Sequence, residues 1–296
     1  MKKLLLALVL VVAVAAIFLG PPLRSAFADT EVEITLGRAP MHPTQQALNF
    51  MLDAPEEAAL PAKKKMKLWA TYYHMPTVRP SWTSVAAKPL LDRKGNPVSA
   101  PLSTEDWCDA AMQGSVWVDN GKDEPTAYMY VDSGGPEQVV CDRYFGELSD
   151  RIKTATRKAR FAPFHHPQAC DVRAIPLMPF RTVAIDRDRF KMGTVFFVPE
   201  LRGKQFWANG EFYTHDGYLI GSDTGGAIEG NHIDMFVEDA AADPLPELVQ
   251  STSRHTFEAY VIAKDHPMAI ALHDAGDEVC KDSDRPGRKR KPASNI

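Results

Sequence analysis

Two aspartates stand eleven positions apart in the stretch "GYLIGSDTGGAIEGNHIDMF", residues 217–236. They are Asp223 and Asp234, and Gly225, Gly226 and Gly230 lie between them. The triplet Asp223-Thr224-Gly225 raises the chemistry of an aspartic protease. That chemistry needs two carboxylates sharing one proton at about 3 Å, each from its own triplet. The triplet occurs once in this chain. A homodimer would supply the second copy, but such chains are far shorter and lack the rest of this segment. Glycoside cleavage makes a different demand: a carboxylic acid held protonated near neutral pH to protonate the leaving oxygen. Partial burial and a neighbouring negative charge both raise an aspartate pKa in this way. Strand alternation in "HIDMF" turns Ile233 and Met235 to one face and Asp234 to the other. This predicts Asp234 as the acid in a groove, with Asp223 as its supporting charge.

The residues between the acids suit a flat, hydroxyl-rich ligand. Glycines allow tight turns and close backbone approach. Thr224 and the backbone of Gly225, Gly226 and Ala227 are expected to hydrogen-bond sugar oxygens. Trp69, Tyr72 and Tyr73, in "MKLWATYYHMP", are expected to offer faces for sugar packing. His232 lies two residues before Asp234 on the same strand face. It reads either as a modulator of the acid or ligand contact, or as a satisfied surface histidine. Asp188 is expected to face solvent. His165 and His166 are adjacent, so on a strand they would point to opposite faces; with Pro163 and Pro167 around them they read as a loop. No metal motif and no cofactor requirement is apparent.

The segment resembles the three-aspartate (3D) domain of bacterial cell-wall enzymes, including the membrane-bound lytic transglycosylase A family. The family pattern is approximately A-x-D-x(3)-I/F-P-L-G-T, followed later by D-T-G-G-A-I-K-G-x-R-I-D-x-F. Here "AIDRDRFKMGTVFFV" matches the first part and supplies Asp186, and "DTGGAIEGNHIDMF" matches the second. Lys191-Met192 replaces Pro-Leu, Glu229 stands where lysine is common, and His232 where arginine is common. The last two remove basic side chains beside the site. The resemblance covers roughly residues 176–237. It implies a mainly β fold, a double-psi β-barrel with an α/β insertion at about 88–175 forming one wall of the groove. It implies cleavage of the MurNAc-GlcNAc bond of peptidoglycan glycan strands to a 1,6-anhydro end, with Asp234, Asp223 and Asp186 at the catalytic site. For Asp186 the reading of the residues favours a structural role, accepting backbone hydrogen bonds. The alternative is a non-catalytic cell-wall glycan-binding module.

The elements that must position these groups are legible in outline. Short runs rich in aromatic and β-branched residues, broken by Gly, Asp and Asn, fill "IPLMPFRTVAID", "GTVFFVP", "GEFYTHDGYLIGSD", "NHIDMFV" and "FEAYVIAK". Such a series predicts a closed or nearly closed barrel. "GSVWV" and "TAYMYVD" read as further strands. A helix is expected from Ser103 through "EDWCDAAM", and another over "FGELSDRIKTATRKAR". Another short helix is expected after Thr44, and "MAIALH" reads as a late β-run.

The N-terminus carries two lysines, an apolar run from Leu4 to Gly20, and the small-residue end "AFA". This is signal-peptide layout, with cleavage expected after Ala28. An uncleaved anchor is the other reading and the one expected route to a membrane. Export to the periplasm or cell envelope follows in either case. Residues 29–66 read as an extension and linker, residues 67–280 as the domain, and residues 281–296 as a disordered tail. The formal charge is −4. The tail carries six basic and two acidic residues, which leaves −11 for the body once the leader is removed. An exported acidic body excludes nucleic acid as the natural partner. Cys108, Cys141, Cys170 and Cys280 form no CxxC and read as structural staples, with three pairings possible.

Overall fold

The computed structural model describes residues 65–121, 124–145, 148–164, 177–208, 211–237, 245–249 and 252–265, together with Leu60, Ile270 and His273. The expected leader, the helix after Thr44, the basic tail, Cys170, Cys280, His165 and His166 lie outside the described residues. So do four of the six residues of "MAIALH". No helix among the described residues is long and apolar enough to cross a membrane.

The fold is mainly β. Six strands close into a ring: β1 (Lys65–Tyr73), β6 (Thr182–Ile185), β7 (Thr194–Phe197), β10 (Tyr218–Asp223), β11 (His232–Phe236) and β12 (Phe257–Val261). Their order around the ring is β1-β11-β6-β10-β7-β12. β1 runs parallel to β11, and β10 parallel to β6; the other neighbours are antiparallel. Alternation fills the ring interior. Leu68 and Ala70, Ile233 and Met235, Val183 and Ile185, Leu219, Phe196, Phe257 and Ala259 bring an apolar side chain inward from every strand. The ring is therefore a packed core and not a pore.

A second sheet has the order β2-β3-β4-β5: β2 (Thr77–Val78), β3 (Ser115–Val118), β4 (Thr126–Asp132) and β5 (Arg160–Phe164). It carries two helices, α1 (Thr104–Gln113) and α2 (Asp150–Arg157). Ser103 caps α1 as expected, its Oγ accepting from the Asp106 N–H. Gly114 ends α1 in the left-handed conformation at φ 81°. Its own core contains Leu90, Leu102, Trp107, Val116, Val118, Tyr128 and Phe161. Cys108 in α1 is disulfide-bonded to Cys141.

The structure departs from expectation in several elements. α2 begins only after Ser149, whose Oγ accepts from the Ile152 N–H, and stops at Arg157. Arg160, expected in that helix, instead opens β5; its guanidinium is buried and donates to the carbonyls of Pro136, Lys158 and Ala159. Among the described residues of "IPLMPFRTVAID", only Thr182–Ile185 is strand, because Phe180 takes φ 60° in the preceding turn. A hairpin of β8 (Gln205–Ala208) and β9 (Glu211–Thr214) forms a separate two-stranded sheet that packs Phe206 and Ala208 against the ring core, and β8 carries no alternation strong enough to announce it.

Candidate active site

The ring strands place the two acids in one transverse row. Thr71 on β1 is the register partner of Asp234 on β11. Ala184 on β6 is the register partner of Asp234 on one side and of Asp223 on the other. The row therefore reads Thr71, Asp234, Ala184, Asp223. A methyl side chain separates the carboxylates, and Ala184 is itself buried. Tyr73, two residues beyond Thr71 on the same face, reaches across the row to Asp223. On the same face, beside the acids, lies an apolar cluster of Tyr73, Ala127, Phe164, Ala184, Ile228 and Phe236, where the ring meets the second sheet.

The acids have unequal surroundings. Asp223 accepts two hydrogen bonds, from the Tyr73 hydroxyl at 2.6 Å and the Thr224 N–H at 2.8 Å. Burial raises its pKa, and these two donors oppose the rise by favouring its anion. Asp234 accepts from Thr71 Oγ1 at 2.7 Å. Burial and then the charge of Asp223 push its pKa up to about 6, against that one bond. Asp234 is thus a carboxyl that carries a proton under mildly acidic conditions, beside a carboxylate better supplied with donors.

His232 sits behind the row. Its ring stacks on Trp69 with centroids 3.6 Å apart and planes 6° from parallel. Its Nε2 lies 2.8 Å from Thr71 Oγ1. Burial lowers its pKa to about 4, against a hydrogen bond with the backbone of Ala227, so the imidazole is neutral when Asp234 titrates. The surface-histidine reading is overturned, since the residue is 8% exposed.

The glycine loop between the acids is held at both ends. Gly230 needs a left-handed conformation at φ 65°, and a Cβ on Gly225 would lie 2.7 Å from Ile228. Asp186 accepts from the Gly230 N–H at 2.7 Å and from the Asp188 N–H at 2.9 Å. These amides hold its carboxyl below the usual range. Asp186 therefore fastens the far end of the loop, while Asp223 fastens the near end. Asp188 is exposed.

The second sheet adds a cation. Arg151 in α2 donates to the Gly226 carbonyl at 2.8 Å and to Glu229 Oε1 at 2.7 Å. A basic group thus stands against the loop despite Glu229, delivered from a distant part of the chain. Among the described residues, no group of three His, Cys, Asp or Glu is arranged for a metal ion.

The structure gives two of the expected sugar contacts other partners. Tyr72 lies on the opposite face of β1 from Thr71 and Tyr73 and packs against the ring interior. Tyr73 is 8% exposed, so it gives its hydroxyl to Asp223 and presents no open ring face. Trp69 has one face covered by His232. Thr224 is half-buried, and Gly225, Gly226 and Ala227 are exposed along the loop. Thr71, Ala184 and Arg151 were not foreseen. Thr71 and Ala184 become visible only when strand pairing is known, and Arg151 only when the second sheet is placed.

Residues 181–243 match the family model of the 3D domain, so the resemblance of this segment to that domain holds. Solved structures similar to this chain include MltA of E. coli with bound chitohexaose. It is 18% identical, with 66% of this chain and 71% of that chain covered and a TM-score of 0.44. A membrane-bound lytic murein transglycosylase from Agrobacterium tumefaciens is 14% identical, with 71% and 76% covered and a TM-score of 0.42. MltA from Neisseria gonorrhoeae is 14% identical, with 67% and 72% covered and a TM-score of 0.39. At such TM-scores these likenesses do not carry function by themselves. Comparison with curated proteins gives no match.

Proposed function

We propose that this 3D-domain chain is an exported peptidoglycan-degrading enzyme. It cleaves the MurNAc-GlcNAc bond in the manner of a lytic transglycosylase, on a ring of the double-psi β-barrel type. The carrying observation is Asp234: its pKa is raised to about 6 by burial and by Asp223, and it shares a strand row with Asp223 across Ala184. The protonated Asp234 donates to the glycosidic oxygen as that bond breaks. The 6-hydroxyl of the same muramyl unit attacks the anomeric carbon, and the Asp234 carboxylate takes the hydroxyl proton. The acid is restored, and the product is a 1,6-anhydro end. The nucleophile comes with the substrate, so its proximity to the reacting carbon is already secured. Asp223 remains the anion that keeps the proton on Asp234. Asp186 holds the loop, and Thr224 with the Gly225–Ala227 backbone contacts the glycan.

Purified peptidoglycan incubated with the full chain and with Asp234→Asn tests this by mass spectrometry of the soluble products. Anhydro-muropeptides from the wild type alone are expected. Products one water heavier would make the chain a hydrolase on the same site. Wild-type protein that sediments with the wall and releases nothing would make it a glycan-binding module. Undiminished cleavage by Asp234→Asn would remove Asp234 from the chemistry.

A further inference from the structure

We infer that Thr71, His232 and the backbone of Ala227 form a directional hydrogen-bond relay that holds the proton on Asp234, and that the glycine loop controls this relay through Ala227. The inference rests on Asp234 being the acid.

It follows from counting protons. Thr71 has one hydroxyl hydrogen and two neighbours, Asp234 Oδ1 at 2.7 Å and His232 Nε2 at 2.8 Å. A neutral imidazole has one donor nitrogen and one acceptor nitrogen. His232 makes a second hydrogen bond, to the backbone of Ala227, that favours its charged form, so the ring donates and the carbonyl accepts. With Nε2 turned to Thr71, this bond falls to Nδ1. The Nδ1–H tautomer leaves Nε2 bare, and it accepts the Thr71 hydroxyl hydrogen. Thr71 Oγ1, which donates to Asp234 when that group is ionised, then accepts from the protonated acid. Every bond in the series runs one way, from Asp234 to Thr71 to His232 to Ala227.

The ionised acid breaks this order. A carboxylate draws the Thr71 hydrogen to itself, and Nε2 then needs a hydrogen of its own to bond Thr71 Oγ1. A neutral ring supplies it only by giving up the Nδ1–H bond to Ala227. A charged ring would keep both bonds, but burial disfavours the charge. The relay therefore penalises loss of the Asp234 proton for as long as the Ala227 carbonyl stays in place.

Ala227 belongs to the exposed glycine loop to which the proposed function assigns the glycan contacts. A ligand that shifts the loop releases Nδ1 and lowers the penalty when the proton must leave. Trp69, stacked on the imidazole, fixes the ring plane without supplying charge. The titratable groups facing the relay are Asp223 from β10 and Tyr73 from β1, and these bond each other. Arg151 and Glu229 pair on the loop beyond. His232 is thus a positioning residue, acting on the reaction through Thr71.

Imidazole 15N NMR of the full chain below pH 6 reads the tautomer directly. The expected result is a protonated Nδ1 and a bare Nε2; an Nε2–H tautomer overturns the inference. His232→Phe keeps an aromatic ring for Trp69 and removes both nitrogens. Thr71 then donates to the Asp234 carboxylate at no cost to a His232 bond, so the Asp234 midpoint, followed by carboxyl 13C shift, should fall by about one pH unit. The basic limb of the pH–rate profile should fall with it. In a Thr71→Val background, His232→Phe should leave the midpoint where Thr71→Val put it. A loss of cleavage equal at every pH with an unmoved midpoint would make His232 merely structural. Wild-type protein that cuts no peptidoglycan defeats the enzymatic reading, while the NMR arms still decide the relay.

Discussion

Burial raises the pKa of both Asp223 and Asp234, but their hydrogen-bond partners differ, and this divides their labour. Asp223 has a hydroxyl and an amide to steady its charge; Asp234 has one hydroxyl and a charged neighbour. Removing that neighbour with Asp223→Asn takes away a cause of the raised pKa. The basic limb of the pH–rate profile should therefore move to lower pH, by up to about one unit. A limb that stays in place would mean burial alone sets the acid. The same shift bears on stability. Folding raises the Asp234 pKa from 3.8 to about 6, so the folded state binds the proton more tightly than the unfolded chain. Stability is then greatest below the lower value and is lost as pH rises through the upper one. Asp234→Asn should stabilise the protein at pH 7.5 by about 1–3 kcal/mol, and by almost nothing at pH 3.5. Denaturant unfolding of both proteins at the two pH values measures the difference.

Strands and loops decide where these side chains meet. β6 lies between the strands that bear the acids, and its register sets Ala184 between them. Arg181, one residue before β6, pairs with buried Asp216 through both Nη atoms at 3.0 and 2.9 Å, which anchors that strand to the turn before β10. Helix α2 reaches the glycine loop through Arg151. A cation in the first turn of a helix opposes the helix dipole. Its position is better explained by the loop that it holds than by the helix. Both partners of the Arg151–Glu229 pair are exposed, at 63% and 75%. Such a pair adds under about 1 kcal/mol to stability. Arg151→Ala should accordingly shift the melting temperature by less than about 3 °C. It should lower peptidoglycan cleavage several-fold through a weaker hold on the loop, seen as a higher KM with little change in kcat. An unchanged KM would show that the loop keeps its place without α2.

Among the described residues, the ring core and the core of the second sheet meet along the apolar seam beside the acids, and the second core has its own covalent tie. The Cys108–Cys141 bond closes a loop of sequence separation 33 around the second sheet. Replacing both cysteines by alanine should cost about 2–4 kcal/mol. The loss should appear as a lower unfolding midpoint, and cleavage by the folded fraction should be retained. How far all this was legible in the sequence depended on the range of each interaction. Alternation along "HIDMF", the cap at Ser103 and the paired acids around a glycine loop are local, so residue type and spacing determined them. Alternation also marked Ile233 and Met235 as core and Asp234 as facing the other way. The face of Tyr72 was equally periodic, but recognising it required knowing which side of β1 carries the site. Three things depended on contacts between residues far apart in the chain: the parallel pairing of β1 with β11, the shared register at Ala184, and the approach of α2. A strand's own residues set its two faces, but its partner and register are chosen by the packing of the whole ring. For that reason the sequence by itself marked the acids, their loop and the shared face of His232, while only the tertiary structure joined Thr71, Tyr73 and Arg151 to them.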